Sequence, residues 1–71
     1  MLISILRTDG VKEVYDCARF SMVDSEDLKE HVSITFEGMK DGAVTVHYYK
    51  PTTSVYVMND QGKTVETYRW S

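Results

Sequence analysis

Between His31 and Lys50 the chain reads HVSITFEGMKDGAVTVHYYK, and this stretch restricts the fold more than any other. Val32, Ile34 and Phe36 alternate with Ser33, Thr35 and Glu37, and then Val44, Val46 and Tyr48 alternate with Thr45, His47 and Tyr49. A period of two sends successive side chains to opposite faces, so each run predicts a half-buried strand and the residues between them a turn. With Lys40, Asp41 and Gly42 as the loop, Met39 faces Ala43, Phe36 faces Val46 and Ile34 faces Tyr48. The apolar faces of the two strands then coincide, a match that a slip of one residue would destroy.

The closing segment carries a second hairpin around NDQGKT, Asn59 to Thr64. Its last three letters also end a phosphate-binding loop, but such a loop needs a glycine five positions before Gly62, where Val57 stands. It also needs a helix behind it, and KTVETYRW is rich in strand-forming residues. Asn59, Asp60 and Gln61 in a type I turn, closed by a left-handed Gly62, join SVYVMN to KTVETYRW. Counting outward sets Val57 opposite Val65, Val55 opposite Thr67 and Tyr56 opposite Glu66. One face carries the valines, and the other carries Tyr56, Met58, Tyr68 and Trp70. The opening LISILRT, Asp9-Gly10, VKEVYDC predicts a third hairpin with a two-residue turn and Ile5 opposite Val14. A helix from Val11 to Met22 competes with this reading and ranks below it because the segment is β-branched and aromatic. DSEDLKEH, from Asp24 to His31, predicts one or two helical turns with Asp24 or Ser25 as the cap. Pro51, which cannot donate to a ladder, makes KPTTS the corner between the middle and last hairpins.

These segments add up to one all-β domain over residues 1–71: three β-hairpins and one short helical turn, rolled into a small antiparallel barrel or rolled sheet. The expected core is Ile3, Ile5, Val14, Phe20, Ile34, Phe36, Val44, Val46, Val55, Val57 and Val65. A chain of 71 residues lies near the size at which one hydrophobic core barely suffices, so a second domain is excluded. Cys17 is the only cysteine, which rules out an internal disulfide and suits a reducing, cytoplasmic setting. MLISILRTDG has neither the basic start nor the apolar length of a signal peptide or membrane span, so no membrane association is expected.

Chemistry is sparse. His31 and His47 fall on separate elements at no spacing that suits a metal or a catalytic dyad, and no glycine-rich loop or nucleophile elbow is present. No enzyme activity, cofactor or metal site is therefore expected. A net charge of −3, with the eight basic residues scattered, argues against broad nucleic-acid binding. A small barrel that stacks bases on strand aromatics, with Lys50 near Tyr49 and Arg69 near Tyr68, is the second reading.

Protein binding is better supplied. Five tyrosines, four methionines and one tryptophan are more large, adaptable side chains than so short a chain needs for its core. Tyr49, Tyr56, Tyr68 and Trp70 are the candidate contact residues, and the competing reading is that these rings cap the ends of the barrel. Asp24, Glu26 and Asp27 crowd one segment, which is either a solvated loop or an acidic docking patch. A homodimer joined through an open strand edge or an aromatic face would help so small a domain. The opening strand, TDG, strand and the ending VYVMNDQGKTVETYRW resemble small accessory proteins of phages and prophages, among them anti-CRISPR inhibitors of bacterial defence. The likeness spans the two end hairpins. It implies a non-enzymatic protein that occupies a surface of a larger bacterial protein in the host cytoplasm, and it carries over no individual functional residue.

Overall fold

In the computed structural model, which describes residues 1–70, seven strands follow one another: β1 (Leu2–Arg7), β2 (Lys12–Asp16), β3 (Arg19–Asp24), β4 (His31–Glu37), β5 (Val44–Tyr49), β6 (Thr53–Met58) and β7 (Thr64–Arg69). They form two antiparallel sheets, one ordered β2-β1-β6-β7 and the other β3-β4-β5. The inward faces meet in a single cluster of Ile3, Ile5, Val55 and Val57 from the first sheet, Val32, Ile34, Phe36 and Tyr48 from the second, and Cys17. Tyr15 bridges the sheets by stacking on Phe36, with ring centroids 4.0 Å apart.

The all-β class stands, but the sheets pack as a sandwich and do not close into a barrel. The backbone shows why. The Cys17 N–H donates to the Met1 carbonyl of the first sheet at 3.0 Å, and the next amide, Ala18, donates to the Glu37 carbonyl of the second at 2.9 Å. Adjacent amides thus serve different sheets, which makes this the point where the chain changes layer. The second crossing is a 3₁₀ turn at Lys50–Thr52. Pro51 fits its first turn, where the missing N–H would go unused anyway, and interrupts any ladder that might continue from β5 into β6.

Register decides which side chains reach the core, and it departs from expectation in all three hairpins. In the first, Arg7 N–H bonds the Val11 carbonyl and Gly10 N–H the Arg7 carbonyl, both at 3.0 Å, so the loop has three residues instead of two. Ile5 therefore faces Glu13, Tyr15 takes the inward place, and Val14 turns out to solvent, 54% exposed. In the middle hairpin the loop widens to Gly38–Ala43, pairing Phe36 with Val44 and Ile34 with Val46. This shift of two keeps every side chain on its expected face, yet it moves Val44 to an exposed rim and buries Tyr48 beside Val32. The closing turn forms as expected, with Gly62 N–H on the Asn59 carbonyl at 3.0 Å. A bulge between Val57 and Met58 then advances β7 by one residue, pairing Val57 with Glu66 and Val55 with Tyr68. A single extra residue flips the faces of a strand, so Val65 is exposed and Tyr68 turns inward.

The segment from Val11 to Met22 is strand, as β2 and β3. Asp24 to His31 is not helical. Leu28 N–H donates to Ser25 Oγ at 3.0 Å, His31 N–H to the Leu28 carbonyl at 3.2 Å, and Glu30 adopts φ +64° to close a tight loop. Six residues between two paired strands gain too few helical bonds to offset the cost of nucleation.

Candidate functional site

The strongest convergence of exposed, chemically distinctive side chains lies at the end of the β3-β4-β5 sheet. Pairing of β3, β4 and β5 brings Asp24 beside Val32 and His31 beside Tyr49. The loop after β3 folds over this end, held by Ser25 N–H on the His31 carbonyl at 3.0 Å and by Lys50 N–H on the Glu30 carbonyl at 2.8 Å. Tyr49 (44% exposed) and Leu28 (58% exposed) therefore stand next to the acidic segment, and the His31 ring tilts against Tyr49 at 5.2 Å. Asp24 pairs with Lys50 at 2.7 Å, while among the described residues Glu26 and Asp27 make no ion pair. Leu28, His31 and Tyr49 line one wall of an open cleft of about 470 Å³ that runs past the edge of β5 to Arg7, Glu13 and Thr53.

The cleft has a rigid polar floor. Glu13 lies on the inward side of β2, and one of its carboxylate oxygens accepts the Tyr15 hydroxyl at 2.6 Å and the Tyr48 hydroxyl at 3.2 Å. Tyr48 belongs to the other sheet, so this carboxylate ties the two layers together. Burial, chiefly, and then its contacts with Tyr15 and Glu13 push the Tyr48 hydroxyl far above the ordinary tyrosine range. Burial and the Glu13 carboxylate raise Tyr15 as well. Both phenols thus stay protonated as hydrogen-bond donors near neutral pH, and the arrangement acts as a clamp. Burial also raises the Cys17 thiol, so this cysteine behaves as a small apolar core residue.

The four aromatic candidates are not brought together. Tyr49 joins the acidic Asp24, Glu26 and Asp27 as described. Tyr56 stands on the outer face of the four-stranded sheet, where Arg69 lies over its ring at 5.8 Å and donates to its hydroxyl at 3.2 Å. Tyr68 faces inward, meets Phe20 edge-on at 6.3 Å and donates its hydroxyl to Glu66, a bond that raises its pKa. Trp70 is half-buried against the core. The expected strip of Tyr56, Tyr68 and Trp70 is therefore split by the bulge in β7.

Three contributors escaped the sequence reading. Leu28 and His31 sit in a segment read as helix, and Glu13 was placed by a turn one residue too short. Among the described residues no cluster of His, Cys, Asp and Glu could hold a metal, and no helix is long and apolar enough to cross a membrane. No family model, curated protein or solved structure matches the chain.

Proposed function

We propose that the protein is a non-enzymatic binding module that docks a basic segment of a larger protein on the loop end of its three-stranded sheet. The observation that carries this reading is that exposed Leu28 and Tyr49 line a concave cleft at the end of the sheet where the loop bearing Asp24, Glu26 and Asp27 is tied down. Each part has a distinct task. An aromatic anchor that loses water on binding contributes ~2 kcal/mol or more, whereas rim carboxylates mainly speed encounter with a cationic partner and exclude acidic ones. Nucleic acid fits this surface poorly, because phosphates would meet the carboxylates first. The resemblance of the two end hairpins to phage accessory proteins supports a more specific role, as an inhibitor that covers a surface of a host defence protein in the bacterial cytoplasm.

Capture from a bacterial lysate on the immobilised chain, with and without nuclease, tests the reading. A discrete protein should survive nuclease treatment, be lost with Tyr49→Ala, and associate more slowly at low salt when Asp24, Glu26 and Asp27 are neutralised together. Material recovered only without nuclease would instead mark a nucleic-acid-binding domain.

A further inference from the structure

The two outer faces of the sandwich differ in kind. On the three-stranded sheet the centre of the outward face is polar and satisfied, with Ser33 on His47 at 2.8 Å, Thr35 on Thr45 at 2.9 Å and Arg19 on Glu37 at 3.1 Å, and its exposed apolar residues, Val23 and Tyr49, stand at the loop end. On the four-stranded sheet the registers set out three rows across the strands, in the order β2, β1, β6, β7. The upper row is Lys12, Leu6, Ser54 and Arg69; the middle row is Val14, Ser4, Tyr56 and Thr67; the lower row is Asp16, Leu2, Met58 and Thr64. Leu6 and Val14 are exposed, and a hollow of about 350 Å³ opens beside Ser4, rimmed by Leu6, Tyr56 and Met58. Leu2, Leu6, Val14, Tyr56 and Met58 thus surround Ser4 at the centre of the face, with cations in one end row and an acid in the other.

We infer that this face pairs with the same face of a second copy of the chain, about a two-fold axis that lies across the strands. Such an axis keeps each strand over its own counterpart and reverses its direction, so an upper row meets a lower row. Lys12 then lies over Asp16 of the partner subunit, twice by symmetry, and Leu6 over Leu2 of the partner subunit. Val14, Ser4 and Tyr56 lie along the axis and meet their own copies. The alternative axis, along the strands, would set Lys12 against Arg69 of the partner subunit and Leu6 against Ser54 of the partner subunit. Like charges facing each other disfavour an interface strongly, so the charge pattern selects the first axis. Two sheets stacked with their strands roughly aligned is also the ordinary way for such faces to pack. Four strands at ~4.8 Å spacing and six residues at ~3.3 Å rise make a face roughly 20 Å on a side, about 400 Å² per copy, which is the size of a weak, transient interface. Dissociation should therefore fall in the micromolar range.

The surface is separate from the loop end, so Tyr49→Ala should leave self-association unchanged. Sedimentation velocity across the micromolar range should show the full chain passing to twice its 8.2 kDa mass. Lys12→Asp should weaken this roughly tenfold or more by opposing two carboxylates. Adding Asp16→Lys to it should restore the wild-type equilibrium, with unchanged circular dichroism throughout. Val14→Lys should abolish the dimer by placing an ammonium on the axis. A sharp monomer over the whole range would overturn the inference, as would tighter association of Lys12→Asp or a double variant that fails to recover. Loss of a lysate partner on Val14→Lys, in a chain that stays monomeric, would assign the face to that partner instead.

Discussion

Replacing Gly38 with alanine should damage this fold more than its position in a loop suggests. Gly38 follows β4 at φ +76°, and a Cβ there would overlap the Cβ of Ala18 and lie 3.2 Å from its nitrogen and 3.4 Å from its Cα. Ala18 cannot easily retreat. Its N–H holds the Glu37 carbonyl at 2.9 Å, and this bond is where the chain enters the second sheet. The left-handed backbone costs an alanine ~1 kcal/mol, and forcing a methyl group into an occupied contact adds ~1–3 kcal/mol. A total of about 2–4 kcal/mol is a large share of the ~4–11 kcal/mol expected for a chain of this length. Gly10→Ala is the internal control: its φ is +89°, and nothing lies within 4 Å of the new carbon, so only the backbone cost of ~1 kcal/mol applies. Urea unfolding followed by circular dichroism would measure both, and Ala18→Gly in the Gly38→Ala background should recover most of the steric share. Equal losses for the two glycines, or no recovery in the double variant, would refute the close approach as the cause.

Alkaline unfolding should report the Glu13 clamp. Above the ordinary tyrosine pKa of 10.0 the unfolded chain releases the Tyr48 proton while the folded chain, whose pKa is raised, retains it. The stability present below that pH should fall by about 1.4 kcal/mol per pH unit for this one group as the pH rises. Tyr48→Phe should cost about 1–2 kcal/mol at neutral pH by removing a donor from Glu13, and it should flatten the alkaline slope; urea midpoints that fall just as steeply in the variant would speak against this. The bulge in β7 predicts that Tyr68→Ala, which empties an inward half-buried site, costs about 1–2 kcal/mol. Thr67→Ala, on the outward side, should stay within about 0.5 kcal/mol, and the reverse order in thermal melts would restore the unbulged register.

Strand identity was legible because alternation survives errors of register, as the middle hairpin shows. Its pairing moved by two residues, yet Ile34 and Phe36 remained inward because two is the period of the strand. Shifts of one are not forgiven. The three-residue loop at Thr8–Gly10 exchanged Val14 for Tyr15, and the bulge after Val57 exchanged Val65 for Tyr68. Asp-Gly suits two- and three-residue loops alike, and a bulge leaves no mark in composition, so neither shift could be read from the letters alone. The helical turn was misplaced for a related reason. Cap and charge signals in DSEDLKEH are equally compatible with a tight loop, since Ser25 satisfies the Leu28 amide in the way a helix cap would.

The candidate site was legible in its parts and not in its assembly. The acidic cluster is local in sequence and plain in it, whereas its neighbour Tyr49 lies some twenty residues away and joins it only through the pairing of His31 with Tyr49. The opposite error befell Tyr56 and Tyr68, which look adjacent in a hairpin but point to opposite sides once β7 shifts by one. This separation reverses the ranking of the two surfaces. With Tyr68 and Trp70 packed against the core, their truncation should act through folding, and Tyr49 becomes the ring whose loss can weaken binding while the sandwich persists. The rings that remain outside therefore divide the surface between them, Tyr49 at the acidic end and Tyr56 on the apolar sheet face, and the two can be mutated independently because the whole core lies between them.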